Sequence, residues 1–199
     1  MLSIAIQAGG SSSRIGRDKA LLLLRGVPLI SHVIERVASL ADEIIIITNQ
    51  PERYLFLKKP LVADLFPGTG VLGGLCTALI AANNSFVGVL ACDMPFINGR
   101  LFSQEYHLAI RDKVDLVIPE TPAGLQPLHA VYRRRSCLPY IHTALKYGER
   151  RLVSWYDDLN VYMMTCNEIA VMDPQFQSFG NINTLEDLNI AQRSTNTKI

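Results

Sequence analysis

The chain has almost no charge imbalance. Nineteen lysines and arginines stand against 18 aspartates and glutamates, for a net charge of +1. A protein that grips nucleic acid through its phosphates usually carries a clear basic excess, so this balance argues against a nucleic-acid partner. It leaves room for local basic clusters that hold a small anion. Cysteine is scarce and scattered: no two of Cys76, Cys92, Cys137 and Cys166 lie within three residues of each other. That spacing excludes a CxxC pair and argues against a structural zinc site or a secreted disulfide framework. The four read as reduced thiols of a cytosolic protein, mostly buried. No apolar run approaches the roughly 20 residues that span a bilayer. The opening Met1–Gly10 lacks the charged start and long apolar core of a secretory leader. These absences set the expectation of a cytoplasmic protein with no membrane partner. Repeats and interdomain linkers are also missing, and the one low-complexity stretch is the polar tail 192–199, which is expected to fray.

What is present is apolar material, 49% of 199 residues. That suits one domain of ordinary size, expected over 1–191. Five short apolar runs read as buried strands: Leu2–Gln7, Glu43–Thr48, Phe86–Ala91, Asp115–Pro119 and Leu128–Tyr132. Ile44–Ile47 is four isoleucines in a row. A half-exposed strand would alternate, so this one should be covered on both faces, as in a parallel sheet. Between the runs lie amphipathic stretches. In Pro28–Ala41, Leu29, Ile30, Val33, Ile34, Val37 and Leu40 recur at helical spacing, and Gly73–Asn83 repeats the pattern. Leu101–Arg111, Leu138–Tyr147 and Leu185–Arg193 are weaker helical patterns. This order predicts an α/β fold: a single Rossmann-like, doubly wound, mostly parallel sheet with helices on both faces. Ligands in such sheets bind beyond the carboxyl ends of the strands, which directs attention to 7–19, Asn49, Asp64 and Asp93.

The first strand runs into Gln7-Ala-Gly-Gly-Ser-Ser-Ser-Arg-Ile-Gly-Arg-Asp-Lys19. Glycines let the backbone approach a ligand closely, serines add small donors, and Arg14 and Lys19 can neutralise a polyphosphate. The loop has no Gly-Lys-Ser/Thr, so it is not a Walker A loop, and Gly9, Gly10 and Gly16 do not fit GxGxxG. Beyond the third apolar run, in Cys92-Asp93-Met-Pro-Phe96, a carboxylate follows directly on a buried strand. Such a group is costly to leave unpaired. Mg²⁺ suits it, because Mg²⁺ takes one or two carboxylates plus phosphate oxygens; a helix cap is the competing role.

Ala8-Gly-Gly-Ser-x-x-Arg14-Ile-Gly16-x-Asp-Lys19-Ala-Leu21 resembles the signature loop of the NTP-transferase superfamily. Its Asp-Lys-Ala-Leu ending resembles the molybdenum cofactor guanylyltransferase family most closely. Four further segments resemble that family in the same order. They are Thr48-Asn49; Asp64-Leu-Phe-Pro-Gly-Thr-Gly-Val-Leu-Gly-Gly74; the Asp93 segment; and Phe179-Gly-Asn181-Ile-Asn183-Thr-Leu-Glu-Asp187-Leu. Gly124–Arg133 and Gly148–Leu152 resemble its acceptor half. Gln7 stands where the family commonly has leucine, and Val71 where it has proline.

The resemblance implies a fold of the nucleotide-diphospho-sugar transferase type and transfer of GMP from GTP to molybdopterin cofactor. It implies GTP contacts at Gln7, Ala8, Gly9, Gly10, Lys19, Asn49, Asp64 and Asp93, and Mg²⁺ on Asp93. Lys19, Arg14 and Asp93 would be catalytic, and Asn181, Asn183, Arg150 and Arg151 would bind the acceptor. Molybdoenzyme maturation or cofactor-insertion proteins are the further partners it suggests. Local chemistry leaves alternatives open. Asp64 can accept from guanine N1–H and N2 or be a solvated loop residue, and Arg150–Arg151 can hold a phosphate or form a solvated basic face. Thr184 with Asp187 reads as a helix-capping pair. A CTP-using molybdopterin or sugar-phosphate transferase, and a nucleotide-binding module without turnover, are the rival functions.

Overall fold

The five apolar runs all become strands in the computed structural model, which describes residues 1–9 and 18–194. In chain order the elements are β1 (Leu2–Gln7), the hairpin β2 (Leu23–Leu24) and β3 (Val27–Pro28), α1 (Leu29–Val37), β4 (Glu43–Ile47), β5 (Leu61–Val62) and α2 (Val71–Ala81). Then come β6 (Phe86–Ala91), α3 (Gly99–Arg111), β7 (Leu116–Thr121), β8 (Gly124–Leu125), β9 (His129–Arg133) and α4 (Arg134–Lys146). The chain ends with β10 (Val161–Met164), α5 (Cys166–Ala170) and α6 (Leu185–Ser194).

The main sheet has the order β10-β7-β9-β6-β1-β4-β5, with β8 paired to β7 off this path. β1 is parallel to both its neighbours, with Gln7 opposite Ile47 on one side and Ala91 on the other. β5 joins β4 in parallel, and β10 joins β7 in parallel. β9 runs antiparallel to β6 and to β7. β7 and β10 therefore point the same way as β1, and the reversed strands β8 and β9 belong to a mostly parallel sheet. The carboxyl ends of β1, β4, β5, β6, β7 and β10 share an edge with the start of β9.

The four isoleucines show why the sheet is covered on both faces. Ile44–Ile47 are all buried. Ile44 and Ile46 join Ile30 and Val33 of α1 and Leu101 and Phe102 of α3. Ile45 and Ile47 join Leu72 and Leu75 of α2 and Ile141 of α4. Period-two alternation thus feeds two cores at once, each side chain contributing roughly 1.5–3 kcal/mol.

Helix boundaries differ from the sequence expectation where polar groups set them. α4 begins at Arg134, directly after β9 and ahead of the expected Leu138, and holds Pro139 inside it. Arg134 earns the early start: its Nε and Nη2 donate to the carbonyls of Leu79 (2.7 Å) and Ile80 (3.3 Å), which α2 leaves open at its end. β10 and α5 are absent from the sequence reading. β10 is a half-exposed edge strand without a clean apolar signal. α5 had a signal in Thr165-x-x-Glu168, and both halves of that capping box are formed.

A third cluster, Leu22, Leu24, Leu29, Ile182, Leu188 and Ala191, packs α6 on the β2 hairpin and the start of α1. It carries α6 past 191 to Ser194, with Gln192 Nε2 donating to Leu23 O at 3.3 Å. The rest of the expected tail, 195–199, lies outside the described residues. All four cysteines are free, two of them buried. Among the described residues no helix is long and apolar enough to cross a membrane.

Candidate active site

Three segments far apart in sequence converge on Lys19. Its Nζ lies 2.6 Å from Asn183 Oδ1 and 3.7 Å from Asp93 Oδ2. Asp93 sits just beyond β6, and its backbone carbonyl accepts from the Ile182 N–H at 2.9 Å. Asn183 is fixed in turn by the start of α6. Asp187 Oδ2 accepts from the Asn183 and Thr184 N–H groups, and Thr184 Oγ1 accepts from the Asp187 N–H. The Thr184–Asp187 cap and the approach of Asn183 to Lys19 therefore coexist. Those backbone donors hold the Asp187 carboxyl below its ordinary range.

Lys19 is aimed from below by residues the sequence did not single out. Asp18 caps the short turn Lys19–Leu21, its Oδ1 accepting from the Ala20 N–H at 3.1 Å. Its Oδ2 accepts from the Tyr54 hydroxyl at 2.7 Å, and Arg53 Nη1 lies 3.3 Å away. Tyr54 is fully buried. Burial and the Asp18 carboxylate hold its phenol protonated far above the usual range. A tyrosine in a Pro-Glu-Arg-Tyr turn carries no motif, so only the fold reveals this clamp.

Burial raises the Asp93 carboxyl above its ordinary value, and the Lys19 ammonium pulls it back only in part. Lys19 therefore does not fully offset the cost of burying this charge. Among the described residues no group of three or more His, Cys, Asp or Glu forms a protein-only metal cage. A metal here would lean on Asp93 and on substrate oxygens, the habit of Mg²⁺ rather than Zn²⁺.

The β1–β4–β5 end of the edge is made from backbone and short contacts. Ala8 N–H donates to Ile47 O at 2.9 Å, Ala8 O accepts from the Tyr54 hydroxyl at 3.4 Å, and Gln7 O accepts from the Cys92 N–H at 3.2 Å. The backbone of Gln7 and Ala8 is thus largely engaged inside the protein, while Gly9 is exposed. The Gln7 side chain is buried, and its Nε2 has no hydrogen-bond partner among the described residues. It lies against the first turn of α2, where a Cβ on Gly74 would come within 2.8 Å of Gln7 Oε1. Gly70 opens that helix at φ +69°, a conformation glycine adopts readily. Asn49 and Asp64 are brought together: Asn49 Oδ1 accepts from the Asp64 N–H at 2.9 Å. Asp64 Oδ1 accepts from the Phe66 N–H and the Thr77 hydroxyl. Gly10 and Arg14 lie outside the described residues.

Of the residues expected to bind the acceptor, Asn181 is exposed beside the Lys19–Asn183 contact. Arg150 is elsewhere: its Nη1 donates to Gly68 O at 3.2 Å, in the loop that also carries Asp64. Arg151 is exposed next to it. A buried pair escaped the sequence reading entirely. His129 Nδ1 lies 3.1 Å from Glu105 Oε1, both side chains fully enclosed. Burial raises the Glu105 carboxyl, and the neighbouring His129 lowers it only in part. The His129 ring packs between Phe102 (5.4 Å) and Phe179 (4.7 Å), which removes it from any role as a solvent-facing base. A cleft of about 660 Å³ between α1 and the start of α3 contains none of the expected site residues.

The sequence pattern of the MobA-like NTP transferase domain matches residues 4–159. A molybdenum cofactor guanylyltransferase of Desulfosudis oleivorans is 36% identical over 188 residues, covering 94% of this chain and 92% of that protein. A probable molybdenum cofactor guanylyltransferase of Peptoclostridium acidaminophilum is 34% identical, covering 94% and 86%. The crystal structure of molybdopterin-guanine dinucleotide biosynthesis protein A from Archaeoglobus fulgidus superposes with a TM-score of 0.84 at 26% identity, covering 98% of each chain.

Proposed function

The chain belongs to the MobA-like NTP transferase family, and from that premise we propose that it transfers GMP from GTP to molybdenum-bearing molybdopterin, releasing pyrophosphate. The observation that carries this reading is the convergence of Lys19, Asp93 and Asn183 at the carboxyl edge of the sheet. There a segment from the nucleotide loop meets one from the far end of the chain.

An oxygen of the acceptor's terminal phosphate attacks the α-phosphorus of GTP. The bond to the bridging oxygen breaks, and pyrophosphate leaves with that electron pair. Two anions must meet, so the protein's task is electrostatic and positional. Lys19 supplies a compact positive charge, with Asn183 and Asp93 fixing where it points. Arg14 is proposed to add a second. Gly9 and Gly10 give the phosphates close access to the loop backbone, and Asn49 and Asp64 face the nucleoside. Asp93 would hold Mg²⁺, which supplies further positive charge to the phosphate oxygens. Asn181 and Asn183 address the acceptor. Arg150 and Arg151 would reach it across the Asp64–Gly74 loop. The reaction would run in the cytoplasm, where maturation or cofactor-insertion proteins would collect the product.

Incubation with each NTP, Mg²⁺ and molybdopterin cofactor, with pyrophosphate release as readout, tests the proposal. GTP should support release and CTP and ATP should not. Release with CTP alone would reassign the nucleotide. GTP binding without release from any NTP would make the protein a non-catalytic binding module.

A further inference from the structure

The acceptor half of the edge holds a second hollow, about 280 Å³, between the β7–β8 turn and the Phe176–Gly180 segment. It is near the lower bound for small-ligand pockets and suits a single fused ring system rather than a nucleotide. Among the described residues its lining carries no ionisable side chain, so a phosphate has no charged partner among them. Two half-buried rings, Phe176 and Phe179, form one side, with centroids 6.5 Å apart.

Gln126 and Thr121 line it as well. Gln126 Nε2 donates to Thr121 Oγ1 at 2.9 Å and to Gly124 O at 3.1 Å. A backbone carbonyl can only accept, so the NH₂ end of the amide must face it. Gln126 Oε1 is left with no partner among the described residues. The Thr121 hydroxyl is already saturated by Gly124 O and the Ala123 N–H as well.

The rings are held in place before any ligand arrives. Phe176 has φ +53°, an uncommon conformation for a bulky residue, which persists only where the surroundings dictate it. Here they do: the Phe176 N–H donates to Asp173 O at 3.0 Å. The buried Asp173 carboxylate accepts from the Gln177 N–H at 3.0 Å and the Ser178 N–H at 2.8 Å. Ser178 Oγ accepts from the Asn98 N–H. Phe179 is backed by the buried His129 ring. Gly180 then leads straight into Asn181–Asn183, which reaches Asp93 and Lys19.

We propose that this hollow seats the ring end of the acceptor. Its occupant is a flat nitrogen heterocycle bearing N–H donors, of the pterin class. Phe176 and Phe179 lie against one face of it, Gln126 Oε1 accepts from its amino edge, and the acceptor's phosphate extends toward Lys19. The assignment rests on the acceptor proposed above. Preorganised aromatic walls and one directed acceptor give affinity and orientation without charge.

The test uses the full chain and a free pterin without phosphate, followed by quenching of the pterin's own fluorescence. Guanylyl transfer with varied acceptor and GTP binding run in parallel. The variants are Phe176→Gly, which keeps the left-handed backbone and removes the ring, and Gln126→Leu. The wild type should quench the pterin saturably, and the pterin should compete with the acceptor but not with GTP. Phe176→Gly should weaken pterin binding and raise the acceptor KM about tenfold, with GTP affinity unchanged as the check on folding. Gln126→Leu should do the same by about fivefold. Pterin affinity and acceptor KM at wild-type values in both variants would overturn the assignment. So would normal transfer by a wild type that binds no free pterin. Pterin binding lost in the variants, in a protein that transfers nothing, would support the hollow and count against the transferase reading alone.

Discussion

Along one sheet edge, the β1–β4–β5 end and the β7–β9 end use different materials. The first is made of chain neighbours: Gly9 follows β1, Asn49 and Asp64 follow β4 and β5, and Gly70–Gly74 open α2. Many of its contacts run through backbone groups, such as Asn49 Oδ1 with the Asp64 N–H. The second is assembled from side chains on distant segments. Asn183 meets a lysine 164 residues away, and Phe179 leans on His129. The difference teaches that an invariant ligand feature such as a polyphosphate can be held by local loops. An acceptor with phosphate at one end and a ring at the other needs surfaces that only the complete fold brings together.

Lys19 and Asp93 stand where the two ends meet, so removing either should produce the largest effect. Lys19→Ala and Asp93→Ala should each lower kcat/KM by roughly 10²–10³-fold, the scale for one preorganised electrostatic group. Steady-state pyrophosphate release checks this, and loss confined to KM for one substrate would assign the residue to one end only. Next in size is Asn183→Ala. It should raise the acceptor KM about tenfold while calorimetric GTP affinity stays within about twofold, the loss of a hydrogen bond to a charged group being about 1.5–3 kcal/mol. Equal losses for both substrates would erase the division between the ends. Tyr54→Phe removes one hydroxyl under Asp18 and belongs to the nucleotide end. It should weaken GTP about fivefold, in keeping with about 1 kcal/mol for one hydrogen bond, and leave the acceptor KM unchanged.

The smallest effect is thermal. Asp93 takes up a proton more readily in the folded protein than in the unfolded chain. Its ionisation therefore lowers stability as pH rises above the ordinary carboxylate value of about 4 and through the raised one. Asp93→Asn should melt a degree or two above wild type at pH 7, on the order of 0.5 kcal/mol for a domain this size, and the margin should close as pH falls toward 4. A margin that widens in acid would mean that the Lys19 contact outweighs the desolvation of Asp93.

The same contrast decides what the sequence could reveal. Ile44–Ile47 announced a strand buried on both faces, and the glycine-rich loop announced its own place at the end of β1, because both are local patterns. The reversal of β9 was not legible: Leu128–Tyr132 is as apolar as its parallel neighbours, and strand direction is set by the short β8 turn before it. Arg150 could be read as a cation but not as a partner of Gly68 O, since nothing in its neighbours points to a loop 82 residues back. Glu105 lies in a polar-looking helix, so its burial against His129 depends wholly on how α3 crosses β9. Tyr54 and Phe176 act through contacts that no spacing rule describes.

The packing of α6 on the β2 hairpin also sets a clock. Every strand of the sheet is complete by Met164, and Lys19 comes early in that order, after β1. Asn183 and the apolar lid formed by Ile182, Leu188 and Ala191 come after all of the strands. A chain clipped before Ile182 would leave Leu22, Leu24 and Leu29 uncovered and Lys19 without its amide partner. Docking of residues 182–191, rather than closure of the sheet, is the step that arms the site.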